Sequence, residues 1–577
     1  MAEVVERSQL SLPAPEASSE RQGGYRPDAH ARVLGVLVLR AGAAAAVIAA
    51  VITFVIAPIR GTFAGEFEDF AAYLAAARSV VHHTDLYWQF IHQPPNVALS
   101  GFDYPPVVAF LVQPLAWIPA SSAATLWLWL TIACTAAAAC IAAFTLLPRG
   151  WPRIEIAALV TCVFSAATYN YWHGQMNPVI FLLLALAVHA WVHGHQTRFG
   201  VLIGIAASIK LAPILLIVLV IRRRWWRAGA ACAVTVAVGL ALGVMTLGVS
   251  TLREYVTHVL PVLSAQDGWL YNQSISGIVS RLFGHAVLVP QAGSLLISII
   301  TYAVLAAMLG LLVFSVSPEV RNRQVSGAEF AAGTLLMLLA STITWYAHYV
   351  NAIIVVFAVV ALVVLGREWR PRALVWSTVA FALAVGVVAP ILIANVTSAA
   401  QLTMLSHTPW WWLLMQVASL PALTATALFV ALTGRLRRNA ASATAPSAQT
   451  ASPTAGALQA LARSWFPRSS PFRKGAPSSV LGMARPSQLD YARLRRDHGL
   501  ARARRLTVYS AVGATAFTGV FALVAATSLP GHSVTTSPAA QPGSTDNGGT
   551  TQPGLSPPVQ QPQYAYGGAP VAVSGGS

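Results

Sequence analysis

A chain of 577 residues that is 56% hydrophobic and only 10% charged does not read as a soluble protein, which carries roughly 25% charged residues. The formal net charge of +17 does not point to nucleic acid, because the arginines gather at the ends of apolar runs, as in Arg222-Arg223-Arg224-Trp225-Trp226-Arg227 and Arg435-Leu436-Arg437-Arg438, where they read as cytoplasmic anchors. The four cysteines, Cys134, Cys140, Cys162 and Cys232, all fall inside apolar runs and suggest neither a disulfide framework nor a zinc site.

The first residues, 1–32, are polar and mixed in charge, with Pro13 and Pro15; they read as a cytoplasmic tail and not as a cleavable signal. Apolar runs of near-spanning length follow at 33–58, 104–119, 122–147, 154–169, 178–192, 199–221, 228–247, 287–316, 330–345, 348–365, 373–394 and 410–432. The expected fold is therefore an all-α polytopic membrane protein, a helical bundle of about twelve spans over 33–434. Counting from an inside N-terminus puts four basic clusters, at 222–227, 321–323, 367–372 and 435–438, in the cytoplasm. The same count puts Arg149 and Arg153 outside and the polar stretch 169–177 inside, which agrees less well with their charge.

Two long loops, 60–103 and 248–286, then fall outside and carry most of the unusual polar residues. In the first, Phe70, Tyr73, Leu74 and Ala77 recur at helical spacing, which predicts a short helix lying in the membrane interface. Beyond Gly434 an Ala/Ser/Pro/Thr-rich basic segment, 435–506, reads as a disordered cytoplasmic linker. It leads to one extra C-terminal span, 507–529, and a Pro/Gln/Gly-rich external tail, 530–577, without Lys or Arg.

Chemistry concentrates in the two outer loops and in a few intramembrane positions. Among the loop acids Glu66, Glu68, Asp69, Asp85 and Asp103, any one alone reads as a solvated loop acid. Asp69 stands out because it opens the short helix, where partial desolvation sharpens a carboxylate as a base. Gly101-Phe102-Asp103-Tyr104-Pro105-Pro106 ends the loop and reads equally as a helix start. Lys210 sits within an apolar run, too far from the Arg222 cluster for a snorkelling stem, and so reads as functional. Asn272, Gln273, Ser274 and Arg281 offer donors suited to sugar hydroxyls or a phosphate, with loop capping as the equal alternative. His348, within Thr344-Trp345-Tyr346-Ala347-His348-Tyr349, is either a base or phosphate partner or an interfacial packing group among aromatics.

Taken in order, Asp69-Phe70-x-x-Tyr73-x-x-Ala76, Asp85-Leu86-Tyr87, Gly101-Phe102-x-Tyr104-Pro105-Pro106, Gly174-Gln175-x-Asn177, Lys210-x-x-Pro213, the Arg222 cluster, Asn272-Gln273-Ser274 and the turn 345–349 resemble glycosyltransferase family 87 of the GT-C superfamily. The turn departs from the two adjacent histidines of many members, having Ala347-His348. The resemblance implies a GT-C-like bundle and a polyprenyl-phosphate sugar donor, mannose before arabinofuranose. It also implies a glycolipid or glycan acceptor, action on the outer face of the plasma membrane, and Asp69 as the catalytic acid residue. His348 is the second catalytic candidate, and Tyr73, Tyr104, Lys210, Asn272, Gln273, Ser274 and Arg281 are the expected donor or sugar contacts. No cofactor, metal site or nucleic-acid partner is expected. A transporter is the rival class, but no Asp or Glu lies in the middle of a span and no repeated pair of broken segments divides the chain. A scaffold role for the tail fits only the last hundred or so residues.

Overall fold

The computed structural model describes residues 29–60, 67–92, 101–264, 268–283, 295–319, 322–365, 372–395 and 411–444. Among these the chain is helical, with no strand and a single isolated bridge between Asn272 and Trp345. The helices used below are α1 (Ala29–Val51), α2 (Glu68–His82), α3 (Pro106–Val112), α4 (Ala120–Leu146), α5 (Arg153–Val163), α6 (Ser165–His173), α7 (Asn177–Val192), α8 (Gln196–Ile209) and α9 (Ile217–Arg223). They continue with α10 (Trp226–Glu254), α11 (Ile275–Phe283), α12 (Leu295–Ser315), α13 (Arg323–Ala340), α14 (Ile353–Leu365), α15 (Arg372–Leu383), α16 (Trp411–Ala418) and α17 (Leu420–Thr444). Six helices are long and apolar enough to cross a bilayer, and α5 with α6, bent by 58° at their junction, make a seventh candidate. α17 runs on through Thr444, so residues 435–444 of the expected disordered linker 435–506 are helical; the rest of that linker, the span 507–529 and the tail lie outside the described residues, as does Glu66.

Small residues let these helices approach. In α4, Ala138, Ala139, Ala142 and Ala143 are fully buried or nearly so, and α8 runs so close to α10 that a Cβ on Gly200 would lie 2.1 Å from the Ala228 carbonyl oxygen. Membrane helices associate by such packing, since lipid supplies no hydrophobic drive between them.

Contacts between helix termini sort the chain into two ends. At one, Phe67 N–H donates to Trp172 O (3.1 Å) and Trp127 Nε1 to Gly174 O (2.6 Å), joining the starts of α2 and α4 to the end of α6. At the other, Arg323 donates to the carbonyls of Phe144 and Thr145, Thr145 Oγ1 bonds His189 Nδ1 (3.0 Å), and Trp191 Nε1 reaches Ser326 O (2.9 Å). This second end is basic, and its centre is Arg223, buried on the Trp191 ring (3.7 Å), ion-paired to Glu329 and bonded to Ser326 Oγ (3.0 Å).

Several sequence expectations change here. The run 104–119 becomes α3 and a following 3₁₀ turn, Gln113–Trp117, together roughly 20 Å long and too short for a core of about 30 Å. Tyr104 before it and Trp127 beyond it both pack on Tyr73 (ring centroids 5.3 Å in each case), so the segment returns to the end it left. The run 199–221 breaks at Lys210, which is extended (φ −144, ψ 124). Pro213 lacks the N–H that would continue the ladder to Ile209, and the chain turns back through α9. Phe199 and Trp225, at the two feet of this hairpin, both pack on Trp191 (5.3 and 4.7 Å).

With the run 104–119 withdrawn as a crossing, the stretch 169–177 lies at the Asp69 end, not opposite it, and Arg153 lies with Arg323 at the basic end. The loop 248–286 is also shorter than expected. The chain breaks at Gly248 (φ 87, ψ 162) and then resumes as helix as far as Leu263.

Candidate active site

The predicted helix in the first loop forms, as α2, with Phe70, Tyr73, Leu74 and Ala77 all buried. These side chains pack into the protein core and not into a membrane interface, because α3 and its 3₁₀ turn fold over them. The helix starts on Phe67 in the left-handed region (φ 48), a conformation that costs a non-glycine residue about 1 kcal/mol or more. The bond from Phe67 N–H to Trp172 O offsets part of that cost. Below it sits Gly174, also left-handed (φ 68), where a Cβ would lie 2.7 Å from Phe70 Cβ.

This seat brings Asp69, only 4% exposed, to the loop after α6. Gln175 Nε2 donates to Asp69 Oδ2 (2.6 Å), Asn177 Nδ2 donates to Gln175 Oε1 (2.8 Å), and Lys210 Nζ donates to Asn177 Oδ1 (3.0 Å). Lys210 also bonds His348 Nε2, which must accept, so the ring carries its proton on Nδ1. Asn170 fixes the far side: its Nδ2 donates to the carbonyls of Ala166 (2.6 Å) and Ala347 (2.9 Å), and its Oδ1 accepts from Asn177 Nδ2 (3.1 Å). A carboxylate and an ammonium are thus joined through two amides, inside the bundle.

A narrow cavity opens beside Lys210 and His348, with Asn177, Thr344 and Asn351 adding polar atoms to an apolar wall of Ile180, Pro213 and Met337. His348 is therefore no exposed turn residue. It lies on the 3₁₀ helix Tyr346–Ala352, and is 5% exposed.

Tyr73 and Tyr104 share a hydroxyl hydrogen bond (2.9 Å), and Tyr73 Oη accepts from Met176 N–H (3.3 Å). Burial, mutual proximity and the carboxylates of Asp69 and Asp103 hold the Tyr73 phenol well above its ordinary pKa; burial, then Asp103 and Asp69, do the same for Tyr104. Both stay protonated and able to donate. The Tyr104 ring lies under the Lys210 ammonium (5.7 Å), close enough for a cation–π contribution. Asp103, read as a solvated loop acid, is corrected: it is 3% exposed and acts electrostatically on both tyrosines. Asp85 keeps a local role, capping Tyr87 N–H (2.9 Å).

The second loop behaves differently. Asn272 Nδ2 donates to Thr342 O (2.9 Å), its Oδ1 accepts from Ser274 N (3.2 Å) and Thr344 N (3.1 Å), and Ser274 Oγ donates to Thr342 O (3.1 Å). Gln273 Nε2 donates to Leu270 O (2.9 Å) and Ala418 O (2.8 Å). Arg281 donates to Ser419 Oγ (2.8 Å) and to the carbonyls of Trp269 (2.7 Å) and Asn272 (2.8 Å). The structure does not bring these four residues to the cavity wall; it ties them to backbone, where they hold the 342–344 strand-like turn and the break between α16 and α17. Asn272 is fully buried.

Sequence reasoning missed Gln175, Asn177, Asn170 and Asp103 as site residues. The first two were visible only as part of the family-like pattern Gly174-Gln175-x-Asn177. Among the described residues, no group of three or more His, Cys, Asp or Glu is placed to hold a metal ion.

Comparison with known proteins points the same way. Curated relatives include a polyprenol-phosphate-mannose-dependent alpha-(1-2)-phosphatidylinositol pentamannoside mannosyltransferase of Mycobacterium tuberculosis, 26% identical over 49% of this chain and 64% of that protein. Its counterpart in Mycolicibacterium smegmatis is 28% identical over 49% of this chain and 67% of that protein. A polyprenol-phosphate-mannose-dependent alpha-(1-2)-phosphatidylinositol mannoside mannosyltransferase of M. tuberculosis is 29% identical over 37% and 53%. The chain thus spans about two-thirds or less of the length of these relatives. No solved structure matches it. The profile of glycosyltransferase family 87 matches residues 102–342, which include Asp103, Gln175, Asn177 and Lys210 and stop short of Asp69 and His348, and through that segment the chain is similar to that family.

Proposed function

We propose that the protein is a membrane mannosyltransferase that takes mannose from a polyprenyl-phosphate donor and passes it to a glycolipid acceptor of the phosphatidylinositol mannoside class. The observation that carries this reading is the Asp69–Gln175–Asn177–Lys210–His348 line, whose Asn177, Lys210 and His348 end borders the cavity. It holds a base and a cation in one buried frame, as transfer from a sugar phosphate requires. In an inverting transfer, Asp69 accepts the proton of the acceptor hydroxyl as that oxygen attacks the anomeric carbon. The bond from that carbon to the phosphate oxygen breaks, and polyprenyl phosphate leaves with both electrons. Lys210, steadied by His348 and Asn177, stabilises the phosphate charge. The tyrosine pair donates toward sugar hydroxyls.

The α2 end faces the outside and the basic end the cytoplasm of a plasma membrane. The alternation of helix ends supports ten crossings, by α1, α4, α5 with α6, α7, α10, α12, α13, α14, α15 and α17, with α3 and the α8–α9 hairpin entering from either side without crossing. The test is transfer in membrane vesicles from radiolabelled mannosyl and arabinofuranosyl polyprenyl phosphates, offered side by side. Labelled glycolipid from the mannosyl donor alone is expected. Label from the arabinofuranosyl donor would move the protein to the other sugar, and no label from either would overturn the reading.

A further inference from the structure

The amides between Asp69 and Lys210 are not interchangeable polar filler, because their chemistry admits one orientation. An ammonium only donates, so Asn177 must turn Oδ1 to Lys210 and Nδ2 to Gln175. A carboxylate only accepts, so Gln175 must turn Nε2 to Asp69 and Oε1 to Asn177. The two constraints, set from opposite ends, agree with each other and with the bonds observed (3.0, 2.8 and 2.6 Å). Asn170 adds a third, since its Nδ2 is committed to the Ala166 and Ala347 carbonyls and only Oδ1 is left for Asn177. Gln175 and Asn177 are 1% exposed and Asn170 is fully buried, so bulk solvent does not offer these groups alternative partners.

We propose that Gln175 and Asn177 are positioning residues that carry a one-way hydrogen-bond line from the Lys210 ammonium to the Asp69 carboxylate, so that the base and the phosphate-binding cation are oriented as a single unit. The inference rests on the proposed transferase reading and deepens it. The line keeps the opposite charges apart, so neither quenches the other by direct ion pairing, while each amide dipole points its negative end at the cation and its positive end at the carboxylate. The titratable groups that act on Asp69 or lie with it are Tyr73 on its own helix, Asp103 and Tyr104 before α3, Lys210 after α8 and, through Lys210, His348.

The test uses the purified full-length protein in lipid nanodiscs with a polyprenyl-phosphate-mannose donor and a phosphatidylinositol mannoside acceptor. Gln175→Glu sets a second carboxylate against Asp69 at unchanged size, and like charges favour the protonated form. The acid limb of kcat/KM should then move up by about one pH unit or more. Gln175→Leu and Asn177→Leu should lower kcat by roughly a hundred-fold, the scale of a misplaced reacting group; donor KM should rise for Asn177→Leu, which touches Lys210, and little for Gln175→Leu. A readout independent of turnover is the isotope-edited infrared titration of the Asp69 carboxyl, identified by its loss in Asp69→Asn. Its midpoint should rise in Gln175→Glu.

An unmoved acid limb and infrared midpoint in Gln175→Glu, or near-normal kcat in Gln175→Leu, would overturn the proposal while leaving the transferase reading intact. A wild-type protein that transfers no mannose would sink that reading instead, and the infrared midpoint would still decide whether the line exists.

Discussion

Two buried cations, Lys210 and Arg223, sit in the same helical body and are treated in opposite ways. Arg223 is closed off: Glu329 pairs with it directly, Glu329 Oε1 also accepts from Ser317 N–H (2.7 Å), and the tryptophans 191 and 225 flank the guanidinium (3.7 and 5.3 Å). Lys210 hydrogen-bonds neutral groups, an amide oxygen and an imidazole nitrogen, reaches Asp69 through two further bonds, and feels the Asp103 and Asp69 carboxylates through space. A charge neutralised on the spot is a fastener. One held by neutral groups next to a cavity retains a field that a phosphate can use. The contrast teaches that an intramembrane charge is informative through its partners, not through its presence alone.

The comparison breaks first at Asp69. A positioned general base contributes roughly a hundred- to ten-thousand-fold in rate, so Asp69→Asn should lose most turnover in the vesicle assay while donor binding survives. Asp85→Asn, a capping residue on the same loop, is the control and should cost little; equal losses would reduce Asp69 to bulk charge. Asp103→Asn is not a control, because that carboxyl is buried against the site.

The next effect falls on the basic end. Arg223→Met strands the buried Glu329 carboxylate, and breaking such a pair costs roughly 3–5 kcal/mol. The variant should fail to accumulate or melt far below the wild type, and Arg223→Met combined with Glu329→Leu should regain part of that loss. If the single variant is stable but inactive, Arg223 has a role in catalysis that the fastener reading denies.

Lys210→Met should do the reverse, raising donor KM and lowering turnover by roughly ten-fold or more with accumulation near normal. A variant missing from the membrane would make Lys210 structural too and erase the contrast. The smallest effect belongs to the C-terminal segment. Truncation after Thr444 should leave transfer largely intact, since the family-like region ends at residue 342; a dead but well-expressed truncation would show that the catalytic unit extends further.

Much of the site was legible because it broke local rules. Lys210 in an apolar run and Asp69 at the start of a helical repeat are both conspicuous in one dimension. Asp103 was not, since nothing in its neighbours tells whether α3 folds back over it. Hydropathy marks what is buried, but whether a run crosses or returns depends on its length and breakers, and the run 104–119 needed both the 3₁₀ turn and the Tyr73 contacts to be read correctly. Asn272, Gln273 and Ser274 show the complementary limit. An amide suits a backbone carbonyl as well as a sugar hydroxyl, and only the fold reveals that the backbone of 342–344 and 418 takes them. Gln175 and Asn177 were legible as a pattern, but their meaning needed a donor-only group at one end and an acceptor-only group at the other.

Gly174 sets a mechanical tolerance for all of this. Its missing methyl lets Phe70, one residue after the base, rest directly on the loop whose next residue is Gln175, while its carbonyl is pinned by Trp127. The 2.6 Å bond between Gln175 and Asp69 is therefore gauged by how closely the Gly174 backbone seats against Phe70 Cβ and the Phe67 ring. A methyl group there would act as a shim under α2, lifting the carboxylate away from its amide, and the helix could not settle back without giving up the left-handed turn that starts it.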